Sequence, residues 1–165
     1  MKLDELYDRY GEMMYHYLAL RLGSCQDAED VLQETFCRLA RISLRWPLIR
    51  NPRAFVFKIL RNESNRYLRK RIQERTGEHL RRGGDSAPVS VLEAPDPSTG
   101  DAIARALSRL PDEQREAVLL KTFQDFSFKD AARICGVSIN TAASRYRLGI
   151  AKLRVLLKAN HENTR

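Results

Sequence analysis

Ser138, Asn140, Thr141, Ser144, Arg145 and Arg147 fall within ten consecutive positions near the C-terminus. Asn and Arg are the side chains that contact base edges bidentately, and Ser and Thr hydroxyls at a helix start suit phosphate oxygens. The chemistry on offer is recognition of a duplex groove rather than bond breaking. On a wheel of about 100° per residue, Ile139, Ala142, Tyr146, Gly149, Ile150, Leu153 and Leu157 share a separate apolar sector. A short helix over Phe128–Cys135 and a tight turn at Gly136 and Val137 precede this one. That spacing predicts a helix-turn-helix, whose second helix is presented to the major groove. An ordinary helical hairpin with a solvated polar face has the same pattern, and the residues alone leave both readings open.

A second cluster lies in AFVFKILRNESNRYLRKR. Lys58, Arg61, Asn62, Asn65 and Arg69 share one helical sector, opposite Val56, Phe57, Leu60, Tyr67 and Leu68. Next to it a loop carries Trp46, Arg50, Asn51 and Arg53. Cations that track a backbone, beside aromatic and amide groups that meet unstacked bases, fit single-stranded nucleic acid. A basic solvated face on a structural helix would look alike. A third group, Asp27, Asp30 and Glu34, has helical spacing, but no Glu-x-x-His accompanies it as a carboxylate metal site requires. A protein-binding surface is the better expectation, with no metal and no cofactor. No phosphate-binding loop, nucleophile elbow or zinc-protease motif occurs, so the chain is not expected to be an enzyme.

The elements that position these clusters read as helices throughout. Leu3, Leu6, Tyr7, Tyr10, Met13, Met14, Tyr17 and Leu18 recur at three- and four-residue steps until Gly23. Ser24 has the spacing to cap a second helix striped by Ala28, Val31, Leu32, Thr35, Phe36, Leu39 and Ala40. The punctuation at Pro47 and Pro52 predicts a loop, then a third helix from about Arg53 to Ile72. Gln73 to Thr99 contains Gly83, Gly84, Pro88, Pro95 and Pro97 without sustained period, which reads as a mobile linker. Beyond it, Ser98 is placed to cap a short helix through Leu110. Pro111, Asp112 and Glu113 suit a first helical turn, and Ser127 and Ser138 the starts of the last two helices. The expected fold is all-α: two small helical domains joined by a flexible linker, residues 1–72 and 100–160 flanking 73–99.

Composition bounds the partners. The chain has 165 residues, a formal net charge of +8 and 30% charged side chains. By position the charge runs −3 over residues 1–43, +9 over 44–82, −4 over 83–117 and +6 over 118–165. A polyanion is drawn to two separate zones. The longest stretch without a charge, Ile134 to Ser144, is far short of the about 20 apolar residues that cross a bilayer. The acidic start without an apolar run predicts no secretory signal. Three dispersed cysteines predict reduced thiols in the cytoplasm.

These segments resemble a known family. DAEDVLQETFCRLAR (27–41) is similar to the core-binding helix of the extracytoplasmic-function group of bacterial RNA polymerase sigma factors. NPRAFVFKILRNESNRYLRKR (51–71) resembles their promoter-melting helix, and residues 110–154 resemble their C-terminal promoter-reading domain. The resemblance implies an alternative sigma factor that binds core polymerase and directs initiation, in the cytoplasm at the nucleoid. It implies that Asp27, Asp30, Gln33, Glu34 and Phe36 meet the clamp helices of the polymerase large subunit, whose flap is a further contact. Trp46, Arg53, Lys58, Arg61, Asn62, Asn65 and Arg69 would melt and hold the minus-ten element. Ser138, Asn140, Thr141, Ser144, Arg145 and Arg147 would read the minus-thirty-five element. The group is commonly restrained by an anti-sigma factor, an implied partner alongside core polymerase and promoter DNA.

Four positions depart from the family pattern. Phe55 stands for a common Trp, Arg66 for an Asp, Ala143 for a Lys and Gly149 for an Ala. Arg66 and Ala143 bear on promoter choice, and Gly149 is expected to cost its helix roughly 0.5–1 kcal/mol. Two other readings stay open. One is a helix-turn-helix regulator whose N-terminal helices dimerise. The other is a helical adaptor that binds polymerase without promoter DNA.

Overall fold

The computed structural model describes residues 3–42, 49–82 and 102–162. Trp46 and most of the expected linker lie outside the described residues. Among the described residues there is helix and no strand. The order is α1 (Leu3–Leu22), α2 (Cys25–Arg41), α3 (Pro52–Arg82), α4 (Ala102–Ser108), α5 (Asp112–Val118), α6 (Phe128–Cys135) and α7 (Ile139–Glu162). A π-helical turn, Leu119–Phe123, follows α5 directly.

Local chemistry accounts for the boundaries. Gly23 takes a left-handed φ of 71° after α1, and the Ser24 hydroxyl accepts from Asp27 N to start α2. Asn51 starts α3 by accepting from Ala54 N at 3.1 Å. The third helix runs to Arg82 rather than stopping at Ile72. Nothing in QERTGEHLRR forbids continuation: it is rich in helix formers, and Lys70 and Glu74 pair at i,i+4. Ser127 accepts from Asp130 N to begin α6, and Gly136 ends it at φ 68°. Ser138 accepts from Thr141 N at 3.0 Å at the start of α7.

Helices α1, α2 and α3 pack on one another, and α7 collects α4, α5 and α6. The two halves also close together, with α3 on α6 and α1 on α4, α5 and the π turn. Buried Leu6, Met14, Phe57 and Leu60 therefore belong to one apolar cluster with Leu107, Leu119, Phe126 and Leu153. Phe57 lies edge-on to Tyr17 at 5.6 Å and to Phe126 at 5.0 Å between ring centroids. That geometry joins the halves through an aromatic chain.

Gly149 is buried in α7 where that helix meets α5. A Cβ there would lie 2.7 Å from Val118 Cγ2 and 3.1 Å from the Gln114 carbonyl oxygen. The glycine therefore secures close helix approach, which offsets the propensity cost expected from sequence.

Candidate nucleic-acid interface

The helix-turn-helix comes from α6, the left-handed Gly136 and α7. Asn140, Ser144 and Arg147 are exposed on the first turns of α7, while Ala142, Gly149 and Leu153 are buried. The Ser138 hydroxyl is 2.8 Å from the Thr141 hydroxyl, so both crowd the helix start where phosphate oxygens are favoured. Arg145 is half-buried and held by Glu113 of α5 at 2.8 Å. One expectation fails: Ile139, assigned to the apolar sector, is 50% exposed. A wheel gives azimuth only, and at the first helical residue azimuth does not guarantee a packing partner. Arg and Asn displayed with hydroxyls on a helix start can hydrogen-bond base edges and phosphates.

The basic helix α3 divides its side chains differently from the sequence expectation. Lys58, Asn62 and Arg69 are exposed. Arg61 and Asn65 instead point into the junction between the halves. Arg61 Nε donates to Glu116 Oε1 at 2.7 Å, and Asn65 Oδ1 accepts from Arg21 Nη2 at 2.5 Å. Arg53 lies 4.4 Å from the Phe126 ring centroid and donates to the Gln124 carbonyl. A sector analysis of one helix cannot register a second helix closing over Arg61 and Asn65, and reading Arg53 as a loop residue gives it no packing partner.

At the centre of the junction is Arg21, fully buried on α1. It meets Asp112 Oδ2 and Glu116 Oε1, each at 3.1 Å, and donates to Ser64 Oγ at 2.7 Å. Burial alone would push its pKa down. Its neighbours Tyr17, Glu116 and Asp112 more than reverse that, so the direction is up and the cation is locked. Tyr17 is also pushed up, chiefly by burial. Arg115 is buried without so close a carboxylate and is pushed down to about 10, first by burial. Its guanidinium donates to the Leu107, Ser108 and Leu110 carbonyls and to that of Arg21, gathering the C-terminal ends of α4 and α1. Sequence reasoning missed Arg21 and Glu116. The available signal was spacing: Arg21 continues the buried face of Met14 and Tyr17, a place where a cation needs a partner.

On α2, Asp30, Gln33 and Glu34 are exposed. Asp27 is half-buried and receives Arg71 of α3, with Tyr67 beside it pushed up to about 12 by burial and then by Asp27. Phe36 is half-buried, 5.3 Å from the Tyr7 ring. The two edge a groove between α1 and α2 whose rim includes Asp8, Glu12 and Glu29, carboxylates the sequence reading did not single out. Buried Glu63 ties Arg38 of α2 to Arg66 of α3, so the unusual cation at 66 has a carboxylate partner 3.5 Å away. Among the described residues no group of His, Cys, Asp and Glu could hold a metal ion, and no helix is long and apolar enough to cross a membrane.

Comparison with known proteins bears on both halves. The model for sigma-70 region 2 matches residues 6–73, and that for sigma-70, region 4 matches residues 100–153. The ECF RNA polymerase sigma factor EcfG of Rhodopseudomonas palustris (strain TIE-1) is 35% identical over 140 residues, covering 82% of this chain and 74% of that protein. The ECF RNA polymerase sigma factor SigM of Bacillus subtilis (strain 168) is 29% identical over 164 residues, 96% of this chain and 94% of that one. In solved structures, the sigma factor RpoE in complex with the anti-sigma factor NepR from Bartonella quintana has a TM-score of 0.74 at 27% identity. That likeness covers 93% of this chain and 97% of that one.

Proposed function

The chain belongs to the ECF sigma factors of RNA polymerase, and we propose how its surfaces divide the work of initiation. As a sigma factor it directs promoter recognition for core polymerase and is not itself an enzyme. The domains are residues 1–72 and 100–160, joined by the linker 73–99, into whose first residues α3 continues as far as Arg82. Exposed Asp30, Gln33 and Glu34, with Phe36 packing beneath them and Asp27 at the edge, form the face for the basic clamp helices of the polymerase large subunit. The C-terminal domain meets the flap. Lys58, Asn62 and Arg69 lie along the opened minus-ten strand, joined by Arg53, Arg61, Asn65 and Trp46 when the promoter is engaged. Ser138, Asn140, Thr141, Ser144, Arg145 and Arg147 read the minus-thirty-five duplex. The protein works in the cytoplasm at the nucleoid. An anti-sigma factor restrains it, as the neighbour RpoE is found with NepR.

The observation that carries this reading is the polar face of α7, with Asn140, Ser144 and Arg147 exposed behind a left-handed Gly136 turn. It supports duplex reading because exposed Asn, Ser and Arg side chains leave their donors and acceptors available to base edges and phosphates. The test is in vitro transcription with purified core polymerase on promoters from the source genome. Initiation that depends on the added chain is expected. Failure to join core, together with dimeric binding to palindromic duplex, would overturn the reading in favour of an ordinary helix-turn-helix regulator.

A further inference from the structure

The groove between α1 and α2 has a volume of about 1040 Å³ and is open to solvent. Leu3, Tyr7, Leu32 and Phe36 give it an apolar lining, and Tyr7 at its edge is 60% exposed. Asp4, Asp8, Glu12 and Glu29 stand exposed around it, and among the described residues none of the four is in an ion pair. An apolar strip rimmed by charge is the form a protein-docking surface takes.

Gly11 lies in the floor of this groove, midway along α1. A glycine inside a helix costs about 1 kcal/mol relative to alanine. Packing within the chain does not call for it: an added Cβ would meet only the Tyr7 ring, at an ordinary 3.5 Å. Gly149 is the opposite case, with Val118 2.7 Å from such a Cβ. The space over Gly11 therefore serves close approach from outside the fold.

An occupant that fits carries an apolar strip with cations beside it. The second half of α7 has that surface. Leu148 and Val155 are 52% and 68% exposed, and Ala151 lies exposed between them on the same side of the helix. Arg147, Lys152, Arg154 and Lys158 flank the strip, all exposed, and none is in an ion pair among the described residues. At 1.5 Å per residue the acidic rim from Asp4 to Glu12 spans about 12 Å, and the cations from Arg147 to Lys158 about 17 Å. Helix α7 buries its opposite face on α4, α5 and α6, so the strip points away from its own α1 and α2.

We propose that the groove between α1 and α2 receives the second half of α7 from another copy of this chain, so that copies associate head to tail. Groove and helix are different surfaces, which makes the contact heterologous. Apolar burial over Gly11 drives it, and the opposed charges set its orientation and rate more than its strength. The pairing goes beyond the sigma-factor reading and stands without it. On that reading, Gln33 and Phe36 line the groove and also belong to the face for core polymerase, so core and a second copy compete.

The experiment is sedimentation equilibrium of the full chain over a range of concentrations. At low ionic strength the weight-average mass of the parent should rise with concentration, and at about 1 M salt, where charges are screened beyond about 3 Å, it should rise less. Gly11→Leu fills the groove from a backbone position with room for a Cβ, and Leu148→Ser with Val155→Ser strips the helix at exposed sites. Each variant alone should stay monomeric, because each lacks one half of the contact. Their equimolar mixture should give a one-to-one dimer and nothing larger, since one chain keeps the helix and the other the groove. Asp8→Lys with Glu12→Lys, confined to exposed positions, should weaken association about tenfold at low salt. A parent that stays monomeric at low salt overturns the proposal. So does a variant that associates as the parent does, or a mixture that stays monomeric. A monomeric parent whose Gly11→Leu variant no longer joins core polymerase would give the groove to the clamp helices instead. Core polymerase should disperse the associated parent. Association that core leaves intact would keep the pairing and remove Gln33 and Phe36 from the core-binding face.

Discussion

Arg145 enters the duplex-facing side of α7 already oriented, because Glu113 holds its guanidinium at 2.8 Å. Glu113 is mostly exposed, so its pull is weak enough to yield to a phosphate or a guanine edge. Arg145→Ala should cost about 1–3 kcal/mol of affinity for a minus-thirty-five duplex. A gel-shift titration with unchanged affinity would contradict the assignment. Asn62 has a different task. It is exposed on α3 and free of the junction that engages Arg61 and Asn65. Asn62→Ala should therefore slow open-complex formation more than closed-complex binding, measured by permanganate reactivity of the minus-ten thymines. Normal melting by the variant would remove Asn62 from that role. The residue types at both sites were legible in the sequence. Which of them were already engaged was not, since Glu116 is 55 positions from Arg61.

At the scale of elements, caps and breakers carried their positions faithfully. Ser24, Ser127 and Ser138 each accept from a backbone N–H three residues on, as their spacing predicts. The end of α3 was not legible, because a polar, glycine-bearing stretch is compatible with both a helix extension and a linker. Gly149 shows the limit of propensity. Gly149→Ala would gain roughly 1 kcal/mol of intrinsic helix stability. It would also press a methyl against Val118 and the Gln114 backbone, and overpacking of this kind costs about 1–3 kcal/mol. The variant should melt at a lower temperature than the parent in thermal unfolding followed by circular dichroism. A rise would mean that α5 and α7 separate easily. The π turn after α5 is a tertiary feature too: it carries Gln124 and Phe126 into the junction, with Asp125 taking a φ of 47° to turn the chain toward α6.

For the whole molecule, the junction leaves a signature in alkaline solution. Cys135 of α6 lies 3.4 Å from Glu116 Oε2, and its thiol is pushed up to about 12, first by burial and then by that carboxylate. The folded chain thus holds this proton more tightly than the unfolded chain, whose thiol titrates at the ordinary 9.0. The associated stability is complete below pH 9.0 and is lost as pH rises toward about 12. Denaturant midpoints should fall across that window in the parent and fall less in Cys135→Ser. Equal slopes would place the thiol outside the coupled network. The same junction reinterprets the alternation of charge along the chain. The second acidic stretch includes the two carboxylates that cover the basic helix.

The sequence by itself determined the all-helical fold, nearly every helix start, the helix-turn-helix and the family, because those depend on local periodicity, caps and short motifs. Tertiary structure decided which cations are free. Arg61 reads as a surface charge from helical spacing and Arg53 as one from its place in a loop, whereas Arg21 lies on a face that should have been apolar. Each takes its role from a partner distant in the chain: Gln124 and Phe126, Glu116, and Asp112 with Glu116, respectively. The reason is physical: spacing along a helix fixes the direction of a side chain, and only the packed neighbour fixes whether that direction leads to water, to DNA or to a carboxylate.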